Sequence, residues 1–577
     1  LSLTIALGLW GIRRKNTMWG DESVTYQLAH RDLSRIWLTA QQIDLVHALY
    51  YTVMHEIFGL FGGGLLTLRL PSVLAMSVAA SGIGLLGLRL AGPRAGLLAG
   101  LVFPLLPQVQ KYAQEGRSYA MVCALVTWAT YALVVSVPHR ARWRWAVYGF
   151  TMLLACLLHE FAVLALVAHG VTLVVSRVPR PVLRAWSVTA AGVVAGLLPL
   201  AIRSAGQSGQ VSWIGGPVRL RYFLVVAVVG VACARARLGV RGPVRLSVLA
   251  VPILVLPGLL LLIASLVKPL FVDRYVLYSN IGIALLLGAR MDYFHRRRSS
   301  RTVWIAAVAV LAALVPPSLS LRTPQSRSND VTAVGAAVRE EGRPGDGLLY
   351  LSGQYRAFTA ASPGDTRFLT DLALAQDAVS SNTLAGVELP AQDIAARMLE
   401  FDRIVAVRGP AGAQSPTNPQ EEAKTSTLRR YFREYRTTHV NGARVTVYVR
   451  GHAPSPKAGA GSDSPGASGG VMVSRARLST SARAGRTGGG PAVTSSTAVG
   501  PTGRAHVGLT APPALRGTAL RRPVVSVTRR AAGRGPRSRP APGPAWRWCP
   551  PGERRRGRRP HSPAGAGRSA HRQPPQA

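Results

Sequence analysis

Thiol chemistry is the first thing this sequence rules out. The chain has 577 residues and four cysteines. Cys123, Cys156 and Cys233 sit inside apolar segments and Cys549 lies near the end, none with a partner at disulfide or metal-ligand spacing. Duplicated halves are missing too, which argues against a transporter or lipid flippase, the main alternative for a chain rich in apolar runs. No small-residue cleavage pattern follows the apolar start at residues 1–12, so a truncated N-terminus is expected there rather than a cleaved signal. Acids are scarce: 25 Asp and Glu stand against 68 Lys and Arg, a formal net charge of +43.

That charge coexists with 48% hydrophobic residues because the two belong to different regions. Residues 1–322 are a succession of Leu/Val/Ala/Gly-rich stretches near the roughly 20 residues that cross a bilayer. Residues 327–450 read as a small α/β domain. Residues 452–577 are rich in Pro, Gly, Ala, Ser and Arg and are expected to be disordered. After the start, candidate spans lie at 70–88, 95–109, 119–137, 145–158, 161–175, 185–202, 222–234, 246–267, 276–289 and 303–319. The run 45–60 is ambiguous, since His47, His55 and Glu56 interrupt it. If it does not cross, alternate loops collect Arg89 and Arg94, then Arg140, Arg142 and Arg144, and so on to Arg296–Arg298. Short cationic loops stay cytoplasmic. The pattern gives about eleven spans with the α/β domain outside the cell membrane. Arg13, Arg14 and Lys15 break this rule.

On that topology the extracytoplasmic face collects Asp21, Glu22, His47, Arg69, Glu115, Arg117, Tyr119, His159, Glu160, Asp273, Arg274 and Tyr275. A charge at membrane depth costs several kcal/mol, so acids beside a helix end face water, a cavity or a ligand. Acids, histidines and arginines gathered at one face point to a site. Each member also has a plain structural reading. Tyr119 and Tyr275 suit an interface, Arg69 suits snorkelling, and His159-Glu160 suits a hydrogen-bonded pair.

The ordered motifs Asp21-Glu22, His47-Ala48-Leu49-Tyr50-Tyr51, Leu68-Arg69-Leu70-Pro71-Ser72 and Lys111-Tyr112-Ala113-Gln114-Glu115-Gly116-Arg117-Ser118-Tyr119 carry a resemblance. Taken in that order, they resemble the dolichyl-phosphate-mannose protein mannosyltransferase family (glycosyltransferase family 39), which includes the aminoarabinose transferases of lipid A. The resemblance is strongest over 19–131 and departs where relatives often have His-Pro-Pro or Lys-Pro-Pro and this chain has His47-Ala48-Leu49. It implies a polytopic α-helical membrane protein of GT-C type with its active site on the extracytoplasmic side. It further implies an inverting transfer of mannose or another hexose or pentose. The donor is a polyprenyl-phosphate sugar, and the acceptor a hydroxyl on a protein, glycolipid or cell-wall glycan. On this resemblance Asp21 is the expected base, Glu22 and Glu115 the supporting acids, and Arg117, Arg274, Tyr275, His47 and His159 the donors to phosphate. Metal use stays open, and no cofactor beyond the lipid donor is expected.

The α/β domain shows no nucleophile triad, glycine-rich phosphate loop or metal-ligand spacing, so an accessory role is expected. A helix is predicted over 331–341, strands over 348–351 and 402–408, a helix over 428–434, and a hairpin closed by Asn441-Gly442. The Arg-over-Lys bias of the tail fits either a basic tail or GC-rich sequence read in a non-native frame. Nucleic acid is not an expected partner.

Overall fold

The computed structural model describes residues 1–139, 141–207, 243–297, 300–410 and 416–451, with a few positions between 224 and 234. The tail 452–577 and most of the expected span 222–234 lie outside the described residues.

Long apolar runs become long helices even where a proline stands inside them, as Pro71, Pro199, Pro252 and Pro257 do. Among the described residues, Leu65–Leu90, Tyr119–Ser136, Arg180–Ala205 and Leu246–Ala264 are each long and apolar enough to cross a membrane. Shorter apolar helical stretches cover Pro93–Leu105, Glu160–Val175 and Trp304–Ser320. The expected span over 95–109 is divided: the helix Pro93–Val102 gives way to a 3-10 turn at Phe103–Leu105, and a new helix starts at Pro107. Pro104 and Pro107 each lack the N–H that would continue the ladder. The apolar start forms only Ser2–Leu9, too short to cross alone. The ambiguous run forms Ala48–Phe61, and the span expected over 276–289 is displaced to Asn280–Arg297 behind a 3-10 segment, Asp273–Ser279.

Close helix packing at the centre depends on missing side chains. A Cβ on Gly96 would collide with the Leu88 backbone and the Gly84 carbonyl, so the helices Leu65–Leu90 and Pro93–Val102 meet backbone to backbone.

The α/β domain is a five-stranded sheet in the order β2-β1-β5-β7-β6. These strands are β1 (Gly347–Tyr350), β2 (Thr370–Asp371), β5 (Arg403–Arg408), β6 (Phe432–Val440) and β7 (Ala443–Arg450). Strand β1 runs parallel to β2 and β5, whereas β7 is antiparallel to β5 and β6. A separate ribbon pairs β3 (Leu374–Gln376) with β4 (Val387–Glu388). Both faces of the sheet are covered. Leu348, Tyr350, Val405 and Val407 pack with Val334 and Val338 of the helix Val331–Glu341. The alternate residues Leu349, Ile404 and Ala406 pack with Ile394, Met398 and Leu428 on the opposite side. The helix predicted over 428–434 stops at Tyr431, where the alternating residues of β6 take over. The hairpin turn takes φ +87 at Gly442.

Two buried clusters, one in the helical part and one under the sheet, are joined through Phe358, which packs against both. Backbone bonds cross the seam as well: Val331 N donates to Met18 O at 2.8 Å.

Candidate active site

Asp21 and Glu22 open the helix Gly20–Ala29. Successive helical residues point about 100° apart, so adjacent carboxylates must diverge. Glu22 turns inward and is fully buried. It accepts from Arg14 Nη2 (2.9 and 3.1 Å), from Arg69 Nε and Nη2 (2.7 Å each) and from the Gly116 amide (3.1 Å). Arg69 does not snorkel. It is fully buried and also donates to Ile12 O and Thr17 O, both at 2.6 Å. Burial would raise the Glu22 carboxyl, but Arg14 and Arg69 overcome it and hold it at about 2. This geometry makes Glu22 the anchor of the segment. Of the three cations that break the charge pattern, Arg14 is neutralised internally, whereas Arg13 and Lys15 are exposed, on a turn where Arg14, Lys15 and Asn16 all take positive φ.

Asp21 turns the other way. Its side chain stays 24% exposed, and Oδ2 lies 3.0 Å from Arg274 Nη2. The Arg274 guanidinium lies 5.5 Å from the rings of both Trp19 and Tyr119 and 5.8 Å from that of Tyr275. His47, Tyr119, His159 and Tyr275 form a ring cluster: His159 is 4.6 Å from Tyr275 and 5.4 Å from both His47 and Tyr119. Four elements supply it, namely the turn before Ala48–Phe61, the start of Tyr119–Ser136, the C-cap of Arg142–Leu158, and the segment Asp273–Ser279.

Asp44 was not singled out from the sequence, yet it organises one side of this cluster. It accepts from His47 Nδ1 (2.8 Å) and from Tyr51 OH (2.5 Å), and Arg117 Nη2 lies 3.5 Å away. Arg117 Nη1 donates to Tyr51 OH at 2.7 Å. Against its own burial, His47 and Arg117 hold the Asp44 carboxyl well below the usual range. Burial also lowers His47, against the pull of Asp44, and it lowers His159 well below its ordinary value, with His47 adding to the effect. His47 Nδ1 faces Asp44, which leaves Nε2 as the ring nitrogen without a partner among the described residues. The available signal was the three-residue spacing of Asp44 and His47.

Glu115 is set apart. It is buried, its nearest cation is Arg327 Nε at 3.5 Å, and burial raises its carboxyl. Glu160 accepts from Ser204 Oγ at 2.8 Å instead of pairing with His159. The structure therefore brings Asp21, Arg117, Arg274, Tyr275, His47 and His159 to one place and turns Glu22 into the arginine network, while Glu115 is buried with neither carboxylate oxygen hydrogen-bonded among the described residues and with Arg274 among the cations that act on it. Among the described residues no three His, Cys, Asp or Glu side chains form a metal-ligand group. His47 Nε2, His159 Nδ1, Tyr119 OH and Ser118 Oγ are buried with no hydrogen-bond partner among the described residues.

No protein-family profile and no curated protein sequence matches the chain. Among solved structures it is similar to ArnT from Cupriavidus metallidurans bound to undecaprenyl phosphate, at 12% identity and a TM-score of 0.51, over 77% of this chain and 96% of that one. The chain has the GT-C fold. ArnT from the same organism in the apo state is also similar (13% identity, TM-score 0.46, 73% of this chain and 93% of that one). So is the apo Archaeoglobus fulgidus oligosaccharyltransferase (11%, 0.42, 79% and 75%). At such identities the GT-C likeness speaks for the fold, and the chemistry has to be argued from this chain's own side chains.

Proposed function

We propose that this GT-C chain is an inverting membrane glycosyltransferase that moves a sugar from a polyprenyl-phosphate donor to an extracytoplasmic hydroxyl. The observation that carries the reading is the set of buried, unpartnered polar atoms on His47, His159, Tyr119 and Ser118 beside Arg117, Arg274 and the part-exposed Asp21. Buried polar atoms are nearly always bonded, so a cluster of orphans marks where a polar ligand belongs. An apolar groove of about 340 Å³ adds support. Leu49, Met121 and Leu158 are among its apolar lining residues, a chemistry that suits a lipid chain.

In this reading the donor phosphate takes Arg274, which frees a carboxylate oxygen of Asp21. The acceptor oxygen attacks the anomeric carbon, its proton passes to Asp21, and the bond from that carbon to the phosphate oxygen breaks with inversion. A positioned base of this kind contributes on the order of 10²–10⁴-fold. Polyprenyl phosphate leaves with more negative charge than it brought, and guanidiniums fixed away from bulk water stabilise that gain.

Arg117→Ala is expected to weaken donor affinity about 10- to 100-fold and to lower turnover further, because the phosphate is present in the ground state and gains charge in the transition state. Titrating purified protein with polyprenyl phosphate checks the affinity. Unchanged affinity removes Arg117 from the phosphate site.

Neutralised by Glu22, Arg14 no longer counts against a charge pattern that favours a cytoplasmic end for the helix Asn280–Arg297 and an α/β domain outside. A reporter active only outside the cytoplasm should give signal when fused after Gly353 and none after Arg297. The reverse result would move Asp21 to the face where no extracytoplasmic acceptor is present.

A further inference from the structure

The helix that carries Asp21 has no cap of its own. Its N-cap residue is Trp19, which offers the first turn no side-chain acceptor. The acceptor comes from 309 positions away: Asn329 Oδ1 takes the Gly20 amide at 2.7 Å. Two further ties hold the same helix to the α/β domain, Ser23 Oγ donating to Ala357 O at 3.1 Å and Gln27 Nε2 to the same carbonyl at 2.9 Å. Asn329 is itself held in place. The next residue, Asp330, donates its amide to Asn441 O at 3.0 Å, and Asn441 Nδ2 donates to Arg327 O at 3.0 Å. A Cβ on Gly442 would collide with Asn329, so the hairpin turn comes close only because glycine stands there.

An orphan amide at a helix start is satisfied by a local Ser, Thr, Asp or Asn in most helices. Here the sequence places Trp at that position and the cap on another domain. We infer that the α/β domain is part of the catalytic framework and that Asn329 is a positioning residue, fixing the start of the helix so that Asp21 faces Arg274 and the acceptor. The catalytic consequence rests on the glycosyltransferase reading; the capping itself does not. The cations for the donor phosphate stand on other segments, so loss of the cap displaces the base without emptying the phosphate site. A displacement of about 1 Å at a reacting group costs on the order of 10²-fold in rate.

Two readouts on the full-length protein in nanodiscs test this. The first is amide hydrogen exchange of the peptide covering residues 18–29, which needs no substrate. Asn329→Ala should speed its exchange roughly three- to tenfold, and Asn329→Asp, which keeps the acceptor oxygen, should restore protection. The second is turnover with a polyprenyl-phosphate sugar: Asn329→Ala should lower kcat about 10- to 100-fold with donor KM within about threefold of wild type. If Asn329→Ala is lost from membranes, Gln27→Leu, which removes a tie to Ala357 O, carries both readouts with the same direction and smaller size. Unchanged exchange of the 18–29 peptide overturns the capping role. Faster exchange with kcat within threefold of wild type overturns the positioning role. A wild-type protein that transfers no sugar contradicts the glycosyltransferase reading and leaves the exchange result to decide the cap.

Discussion

Asp21→Asn is expected to lower turnover by about 10²–10⁴-fold while donor affinity stays within a few-fold of wild type. The asparagine keeps the shape and loses the basicity. Its neighbours predict the split between the two parameters. Asp21 is part-exposed and paired with Arg274 at 3.0 Å, so it competes with a phosphate for the same guanidinium. Removing its charge leaves Arg274 to the donor and takes away only the proton acceptor. Turnover and affinity measured on the same preparation separate this from a structural role. A purely structural Asp21 gives either normal turnover or protein missing from the membrane.

The largest stability effect belongs to the adjacent residue. Glu22→Ala removes the shared acceptor of Arg14 and Arg69, both buried, and breaking such a network by deleting one partner costs about 3–5 kcal/mol. That is a large part of the roughly 5–15 kcal/mol of a typical fold, so the variant should be recovered from membranes at a small fraction of the wild-type yield. Glu22→Gln keeps part of the hydrogen bonding and reports on charge. The Glu22 carboxyl is depressed from its ordinary 4.5 to about 2 by the two arginines working against burial. A depressed acid stabilises the fold fully above its unfolded value and loses that contribution as pH falls towards the folded value. Wild-type protein should therefore lose stability between about pH 4.5 and 2 through this group, and Glu22→Gln should show a flatter acid limb in thermal unfolding. An identical acid limb in both proteins would remove Glu22 from the network.

The contrast between these neighbouring acids shows what the sequence could and could not convey. That Asp21-Glu22 beside an apolar start would not be a merely solvated pair was legible, because the bilayer disfavours unneeded charge, and both carboxylates pair with arginines. Which of the two is buried on Arg14 and Arg69 and which faces Arg274 depends on the helix beginning at Gly20, and no local capping residue announces that beginning. The apolar runs foretold Leu65–Leu90, Tyr119–Ser136, Arg180–Ala205 and Leu246–Ala264, because a run of 18 or more apolar residues has few other stable forms. The break between Val102 and Pro107 goes with Pro104 and Pro107, whereas the hydropathy of the run continues across it. The Asn441-Gly442 hairpin was legible because turn chemistry is local. Burial of Arg69 on Glu22, 47 positions apart, and the cap of Gly20 by Asn329 are long-range pairings with no periodic or local signature. The role of Asp44 is long-range in the same way. Its partners His47 and Tyr51 are near in sequence, but Arg117 comes from another segment.

The central claim is that sugar leaves a polyprenyl phosphate in a reaction that needs Asp21. Membranes containing the wild-type chain or Asp21→Asn, at matched protein levels, are incubated with a panel of radiolabelled polyprenyl-phosphate sugars, and the label is followed from the lipid fraction into an acceptor. The account predicts that one such donor is consumed by wild type, with label appearing in a glycosidic product, and that Asp21→Asn transfers at most about one hundredth as much. Equal transfer by both proteins, or retention of label on every lipid donor by wild type, would contradict it.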